Sequence, residues 1–281
     1  MRQKKKNGKF WLSKALAGVL AVLLLMGLFS GCGFWGNKDK ETEKLPQIVV
    51  GSDVYPPFNY EDADGTPTGI DVELAREAFR RMGYEPKFVT IVWEEKNKLL
   101  EQGTIDCIWG SFSIDGRENQ YRWTQPYMYS RQVVAVRENS PIYTLQDLEG
   151  KRVAVQSTTK PEDIFLSHTD PRIPQIRELF SLQSQELIYP YLSKGYADAI
   201  AAHETAIMQC MADYNLHYRI LEEPLLTVGL GVAFAKDDQR NICDELSQTF
   251  RDMRQDGTMK KIIGKYLKNP DKYLEVDGSE K

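Results

Sequence analysis

The sequence predicts an α/β protein of two lobes separated by a cleft, and three observations support this prediction. Short β-type runs alternate with helical periods over 47–109 in the order β-α-β-α-β, which is typical of a parallel sheet covered by helices. The same alternation begins again at 132 and continues to 213. A glycine-containing strand at 228–235 and two closing helices come after this second unit, and we assign this late segment mainly to the first lobe.

The first unit is expected to contain strands at 47–50, 88–92 and 105–109 and helices at 69–82 and 94–102. In the first helix, apolar residues recur at helical spacing from Ile70 to Met82, and Gly83 follows as a C-terminal stop. Gly103 ends the second helix in the same way. Each helix therefore joins two strands that can lie parallel in one sheet.

The second unit is expected to contain strands at 132–136, 152–156, 175–180 and 197–202, with helices from about 161, at 184–194 and at 203–213. The closing helices are expected at 238–255 and 259–267. We place the first lobe at 46–131 and 231–270, the second lobe at 132–230 and a C-terminal tail at 271–281. Such folds bind small molecules in the cleft at the carboxyl ends of parallel strands.

The first 31 residues are typical of an export signal of the lipoprotein type. Six basic residues precede an apolar run of 16 residues at 15–30, which is shorter than the ~20 residues of a spanning helix. Gly31 and Cys32 resemble a bacterial lipobox, although Phe29 stands where Leu is usual. We expect Cys32 to carry a lipid that anchors the protein to the outer face of the cell membrane. An uncleaved membrane anchor is the alternative.

Residues 32–45 are polar and charged, which indicates a flexible tether. From Cys32 onward the chain carries 30 basic and 40 acidic residues, a formal net charge of −10 that argues against a nucleic-acid partner. Three cysteines remain after Cys32, an odd number that does not form a disulfide framework. No Cys or His spacing is typical of a metal site, so we expect neither a metal nor a cofactor.

The segment GSFSIDGR at 110–117 follows an apolar strand and predicts a carboxylate site. The guanidinium of Arg117 can donate to both oxygens of a carboxylate, and the small residues let the backbone approach a ligand closely. On these eight residues alone, a surface Arg in a turn remains the alternative.

Several further motifs, in order and over about 45–268, together resemble the extracellular solute-binding proteins of family 3, the amino-acid-binding subunits of bacterial ABC importers. The motifs are GSDVYPPF at 51–58 with GIDV at 69–72, LEQGTIDCIW at 100–109, WTQPY at 123–127, DLEGKRVAVQ at 147–156, RQDGT at 254–258 and KYL at 265–267. The resemblance implies a two-lobed fold of the type 2 periplasmic binding proteins, with a hinge.

The resemblance also implies the groups that bind the ligand's carboxylate. The family's Arg falls on Arg117, with Ser111 and Ser113 beside it. Its second-lobe contact falls on Thr158 and Thr159 at a helix N-terminus, where free N–H groups and the helix dipole favour an anion. Plain capping of the helix by these hydroxyls is the alternative.

Aromatic residues would form the wall around the ligand's side chain: Tyr55, Trp93 and Phe58, with Phe58 equally suited to the core. The family commonly places an Asp five residues after the Asp of the second-lobe strand, and His203 stands there in this chain. A neutral His carries no charge to pair with an ammonium group. The ligand's ammonium is therefore expected to contact Glu204, Asp53 or carbonyl oxygens.

The resemblance implies a monomer that closes on an amino acid or similar carboxylate and delivers it to a permease. An enzyme of the secreted cyclohexadienyl dehydratase type, acting on prephenate or arogenate, is one alternative and would need a positioned acid. An extracellular sensor or partner-binding lipoprotein is the other.

Overall fold

The computed structural model describes residues 44–275, and from Leu45 onward these residues form one compact unit. The predicted signal peptide, Cys32 and all but the end of the predicted tether lie outside the described residues. The strands are β1 (Gln47–Ser52), β2 (Tyr60–Glu61), β3 (Pro67–Thr68), β4 (Glu85–Thr90), β5 (Cys107–Ile108), β6 (Arg122–Trp123), β7 (Met128–Arg137), β8 (Arg152–Gln156), β9 (Glu178–Leu182), β10 (Ala199–His203), β11 (Tyr218–Ile220), β12 (Leu226–Leu230) and β13 (Ala233–Phe234). The α-helices are α1 (Ile70–Met82), α2 (Lys96–Glu101), α3 (Lys160–Ser167), α4 (Ile188–Ser193), α5 (Glu204–Asp213), α6 (Ile242–Gln255) and α7 (Thr258–Ile263).

The first sheet has the strand order β4-β1-β5-β13-β6. β1 lies parallel to β4 and β5, whereas β13 is antiparallel to both of its neighbours. Helix α1 buries one apolar face against this sheet, and Gly83 ends the helix in the left-handed conformation at φ 79°. Phe79 and Phe250 of α6 both pack on Trp109 within the core. The apolar spacing of α1 thus fixes which face covers the sheet.

The second sheet has the order β11-β7-β10-β8-β9, and β12 also pairs with β7. β8 lies parallel to β9 and β10, and β7 is antiparallel to β10, β11 and β12. Both faces of β7 and β8 are buried: Val134 and Val153 pack in one apolar cluster, while Val133 and Ala154 pack in another. Strands that are buried on both faces have nearly continuous apolar sequences, as β7 and β8 have here.

The strand predicted at 228–235 is wrong as a single element, because the chain divides there into β12 and β13, which belong to different sheets. Gly231 lies at the division, where a Cβ atom would stand 2.8 Å from Ile114 Cδ1. The chain also passes from the first to the second sheet between β6 and β7. These two short crossings, at 124–127 and 231–232, are the covalent connections between the sheets within residues 44–275.

Other boundaries differ for local reasons. Helix α6 begins at Ile242 rather than 238, since the Asp238 carboxylate accepts hydrogen bonds from the backbone and guanidinium of Arg240 in a preceding turn. The hairpin of β2 and β3 and the short strands β6 and β11 were not predicted. Leu274, within the predicted C-terminal tail, is buried in the core of the first sheet's layer, so residues up to 275 pack on the body.

Candidate ligand-binding site

Four parallel strands, two from each sheet, end at one cavity. β1 and β5 of the first sheet lead into Asp53 and the segment 110–113, whereas β8 and β10 of the second sheet end at Gln156 and His203. The space at these strand ends that protein atoms do not occupy is about 390 Å³, and part of it is open to solvent. Its lining comprises Asp53, Tyr55, Trp93, Gly110, Ser111, Phe112, Ser113, Arg117, Gln132, Gln156, Thr158, Thr159, Lys160, Pro161, Gln185, Ala201, Ala202 and His203.

Arg117 brings a positive charge without a carboxylate partner into this cavity. Its guanidinium donates long hydrogen bonds to the Ser113 carbonyl at 3.3 Å and the Thr158 carbonyl at 3.4 Å, and it lies 5.2 Å from the Phe112 ring centroid. No carboxylate within residues 44–275 forms an ion pair with it. Burial lowers the pKa of Arg117 below its ordinary value. A group that is desolvated but unpaired is poised to bind an anion.

Thr158 and Thr159 lie at the start of α3, on the opposite side of the cavity from Ser111. Thr158 has φ 58° and its backbone N–H donates to Glu162 Oε2 at 2.6 Å, while Thr159 Oγ1 donates to the Gln156 carbonyl at 2.6 Å. The Thr159 hydroxyl does not cap the helix by a side-chain hydrogen bond. The first-turn N–H groups of α3 have no partner inside their own helix, which favours an anion at this end.

Asp53 is buried, with 9% of its surface exposed, and it is the one carboxylate lining the cavity in the described part of the chain. Its Oδ2 accepts a hydrogen bond from Gln156 Nε2 at 2.6 Å, which joins the end of β1 to the end of β8. Burial raises the pKa of Asp53 to about 6, in spite of the opposing effects of Gln156 and Lys96. No Lys, Arg or His within residues 44–275 forms an ion pair with this carboxylate.

His203 occupies the cavity as a neutral imidazole. Its Nε2 lies 2.9 Å from Gln132 Nε2 and 3.2 Å from the Ser111 carbonyl. Its Nδ1 lies 2.9 Å from Ser130 Oγ and can accept from that hydroxyl. Burial lowers the pKa of His203 to about 4. This side chain therefore adds no charge to the cavity at neutral pH.

Tyr55 and Trp93 supply aromatic surface to the cavity. Each is 5% exposed. The ring of Tyr55 packs edge-on against His203 with centroids 5.9 Å apart, and Trp93 packs edge-on against Phe112 at 5.2 Å. The Trp93 indole N–H is buried without an acceptor in the described residues. Rigid aromatic rings of this kind give a small ligand apolar contact at little cost in side-chain entropy.

Nine of the eleven predicted ligand residues line the cavity, and two do not. Phe58 is fully buried in the core of the first sheet's layer, next to the cis peptide bond between Pro56 and Pro57. The carboxylate of Glu204 pairs with Arg131 at 2.9 Å instead of facing the cavity. These two positions correct the expectation of ligand contacts from Phe58 and Glu204. The nine in the lining are Asp53, Tyr55, Trp93, Ser111, Ser113, Arg117, Thr158, Thr159 and His203.

Sequence reasoning missed four polar residues that line the cavity, Gln132, Gln156, Lys160 and Gln185, and one that supports it, Lys96. Gln156 is the last residue of β8, so the rule that placed Ser111 after β5 could have found it. Lys96 Nζ donates to Thr158 Oγ1 at 2.7 Å and to the Trp93 carbonyl at 3.2 Å. Residues 96 and 158 are far apart in sequence, and no local signal connects them.

A buried carboxylate holds the turn that carries Ser111. Asp71 Oδ2 accepts hydrogen bonds from the Ser111 backbone N–H at 2.7 Å and from Asn59 Nδ2 at 3.2 Å. Ser111 has φ 43°, a conformation that a non-glycine residue adopts only with such support. Asp71, from the GIDV motif, thus positions the loop leading to Arg117.

Residues 48–269 match the bacterial extracellular solute-binding proteins, family 3. The chain belongs to this family. A histidine-binding periplasmic protein of Salmonella typhimurium is 32% identical over 234 residues, with 79% of this chain and 88% of that protein covered. The probable amino-acid-binding protein YxeM of Bacillus subtilis is 25% identical over 253 residues, with 89% and 94% covered.

The fold of this family member is equally clear from solved structures. An ABC uptake transporter substrate-binding protein from Streptococcus pneumoniae, solved with bound histidine, superposes with a TM-score of 0.73 at 23% identity, covering 79% of this chain and 92% of that one. This likeness confirms the predicted two-lobed, type 2 periplasmic-binding-protein fold. Like its family, the chain is a solute-binding protein rather than an enzyme.

Neither a membrane-spanning helix nor a metal-binding cluster is found in the part of the chain that the structure describes. Among residues 44–275, no helix has the length and apolar character needed to cross a bilayer. The same part of the chain contains no cluster of three or more His, Cys, Asp or Glu side chains suited to a metal ion. Cys107, Cys210 and Cys243 are all buried and free, and burial raises the pKa of each thiol.

Proposed function

We propose that this protein captures an amino acid in the cavity between its two lobes and delivers it to the permease of an ABC importer. The observation that carries the proposal is the unpaired guanidinium of Arg117 in a cavity closed from both sides. A ligand carboxylate would supply the missing anion, with Ser111 and Ser113 on one side and Thr158 and Thr159 on the other. The amino-acid-binding relatives support the same ligand type.

Hydrogen bonds between the two lobes support capture by hinged closure. Gln156 bonds to Asp53 and Lys96 to Thr158, and His203 and Arg117 each make one further bond across the cleft. Each such bond contributes about 0.5–1.5 kcal/mol net, so closure depends on a few weak contacts. A ligand that contacts both lobes adds to them and shifts the population to the closed form. The crossings at 124–127 and 231–232 would act as the hinge.

The binding test is thermal unfolding of the purified full chain in detergent, with single amino acids at 1 mM. A ligand with Kd near 1 μM stabilises the folded state by about 4 kcal/mol. For a chain of this size the unfolding temperature should rise by roughly 8–16 °C. The absence of any shift across all standard amino acids would refute the proposal.

Arg117→Ala should reduce this shift to about half or less, since the ligand's carboxylate would then be buried without a partner. Such a loss costs about 2–5 kcal/mol, or at least ~30-fold in Kd. Arg80→Ala is the matched control, because Arg80 is exposed on α1 and pairs only with Glu77. An Arg117→Ala protein that binds as tightly as the Arg80→Ala protein would exclude Arg117 from the site.

We further propose that a lipid on Cys32 holds the monomeric protein at the outer face of the membrane, close to the permease. The basic head, short apolar run and Gly31-Cys32 pair support this placement. Acyl chains anchor a protein without a spanning helix. Cells grown with labelled palmitate should label the wild-type protein and not Cys32→Ser, and equal labelling of the two would disprove lipidation at Cys32.

A further inference from the structure

We propose that the ligand is a zwitterionic amino acid with an uncharged side chain, and that Asp53 binds its ammonium group. This inference rests on the function proposed above and narrows its ligand class. It assigns to Asp53, on the first lobe, the role for which the sequence offered Glu204 and carbonyl oxygens as alternatives.

The charges that line the cavity are the first argument. In the described residues the lining contains one acid, Asp53, and two strong bases, Arg117 and Lys160. Lys160 Nζ already pairs with Asp163 Oδ2 at 2.6 Å. One negative and one positive group therefore remain without ion-pair partners. A ligand with one ammonium and one carboxylate complements both of them and leaves no charge over.

The position of the two groups is the second argument. Both contact the same short segment of the second lobe: Asp53 through the Gln156 side chain and Arg117 through the Thr158 carbonyl. The two opposite charges therefore line one cavity and contact second-lobe residues two positions apart. An amino acid carries its ammonium and its carboxylate on the same carbon atom, so one head group in this cavity can face both.

A basic amino acid would bring a second cation that this cavity does not pair. His203 is neutral and bonded to Ser111 and Ser130, and the Glu204 carboxylate is bonded to Arg131 outside the lining. Burying an unpaired ammonium or guanidinium group costs several kcal/mol. We therefore expect arginine and lysine to bind much more weakly than uncharged amino acids.

An acidic amino acid would bring a second carboxylate, for which Lys160 and Lys96 are the candidate partners, and Lys160 already pairs with Asp163. Lys96 does not line the cavity, and its Nζ donates to the Thr158 hydroxyl and the Trp93 carbonyl. Glu162 accepts from the Thr158 backbone on the same side. The remaining wall is polar but uncharged, with Gln132 and Gln185 beside the aromatic rings. This wall suits a side chain without charge.

The first experiment is calorimetric titration of the purified full chain with glutamine, serine, phenylalanine and the other uncharged amino acids, then with arginine, lysine, glutamate and aspartate. The best uncharged ligand should bind at least tenfold more tightly than any of the four charged ones. Tightest binding of arginine or lysine, or of glutamate or aspartate, would overturn the inference while leaving the proposed function intact. Binding of no amino acid would overturn both.

The second experiment tests Asp53 with the best ligand and its analogue lacking the amino group. The wild-type protein should bind the amino acid at least tenfold better than the analogue, and Asp53→Asn should bind the two within about twofold of each other. Asp64→Asn is the matched control, since Asp64 is exposed in the turn between β2 and β3. If Asp53→Asn still bound the amino acid at least tenfold better than the analogue, Asp53 would not be the group that binds the ammonium. The wild-type comparison of ligands stands even where the variant does not fold.

Discussion

Among single residues, burial sets the charge of two side chains in the cavity. It raises the pKa of Asp53 from 3.8 to about 6 and lowers that of His203 from 6.5 to about 4. His203 is therefore neutral across pH 5–8, whereas Asp53 changes charge within this range. The other groups acting on Asp53 are Gln156, which donates to it, and the more distant ammonium of Lys96. Ligand binding should accordingly report the ionisation of Asp53.

The affinity for the ligand should fall about tenfold between pH 7.5 and pH 5, because the ammonium group pairs with the ionised form of Asp53. With a pKa of about 6, roughly one Asp53 in ten is ionised at pH 5. Calorimetric titration at intervals of half a pH unit measures this slope. Asp53→Asn should bind weakly with no slope, and a flat wild-type profile would contradict the assignment.

Asp53 affects the stability of the unliganded fold in the opposite direction: lowering the pH weakens ligand binding but stabilises the folded protein. Its pKa is higher in the folded than in the unfolded chain, so the folded protein holds more protons between about pH 4 and 6. The stabilisation from the protonated carboxyl is present in full below pH 4 and is lost as the pH rises through 6. Ionised Asp53 is thus a stability cost at neutral pH, which the ligand's ammonium offsets.

Among the secondary-structure elements, the sequence predicts best where an element has a local signal. Helix α1 ends where Gly83 predicts, and α5 occupies nearly the span predicted at 203–213. Ser111 was placed at the cavity because its segment follows an apolar strand, whereas Asp53 was proposed as a contact only through the family resemblance. Such predictions succeed because backbone periodicity and glycine stops act within a few residues.

Elements defined by distant contacts were not predictable in this way. β12 and β13 form one apolar run in the sequence, yet β12 pairs with β7 and β13 pairs with β5 and β6. The pairing of Glu204, at the start of α5, with Arg131 of β7 joins residues that are 73 positions apart in the sequence. Gln132 was missed for the same reason, since it begins an expected strand and reaches the cavity only through the antiparallel pairing of β7 with β10.

For the whole molecule, the order of strands and helices was sufficient to predict two α/β lobes, but not the contacts that hold them together. Those contacts join residues that are far apart in sequence, and the bond from Lys96 to Thr158 involves two residues that lie outside all the sequence motifs named above except the predicted second-lobe contact at Thr158. Burial lowers the pKa of Lys96 to about 8. Its ammonium group lies 4.8 Å from the ring centroid of Trp93 and 5.9 Å from that of Phe112, and these contacts orient it towards Thr158 across the cleft. We therefore expect Lys96 to stabilise the closed form rather than to contact the ligand.

Lys96→Met should weaken ligand binding by favouring the open form, while leaving every residue that lines the cavity in place. Loss of a hydrogen bond worth about 1 kcal/mol shifts the closed population, and with it the apparent Kd, by about fivefold. Lys98→Met is the matched control, because Lys98 is exposed on the same helix.

Small-angle scattering should show a larger radius of gyration for unliganded Lys96→Met than for Lys98→Met, and the two should become equal at saturating ligand. Stopped-flow kinetics should place the change in the dissociation rate, since contacts made after closure slow ligand release. Equal dissociation rates and equal unliganded radii for the two variants would show that the bond from Lys96 to Thr158 plays no part in closure. Closure would then depend on the other contacts between the lobes, among them those of Asp53, Arg117 and His203, and more strongly on the ligand.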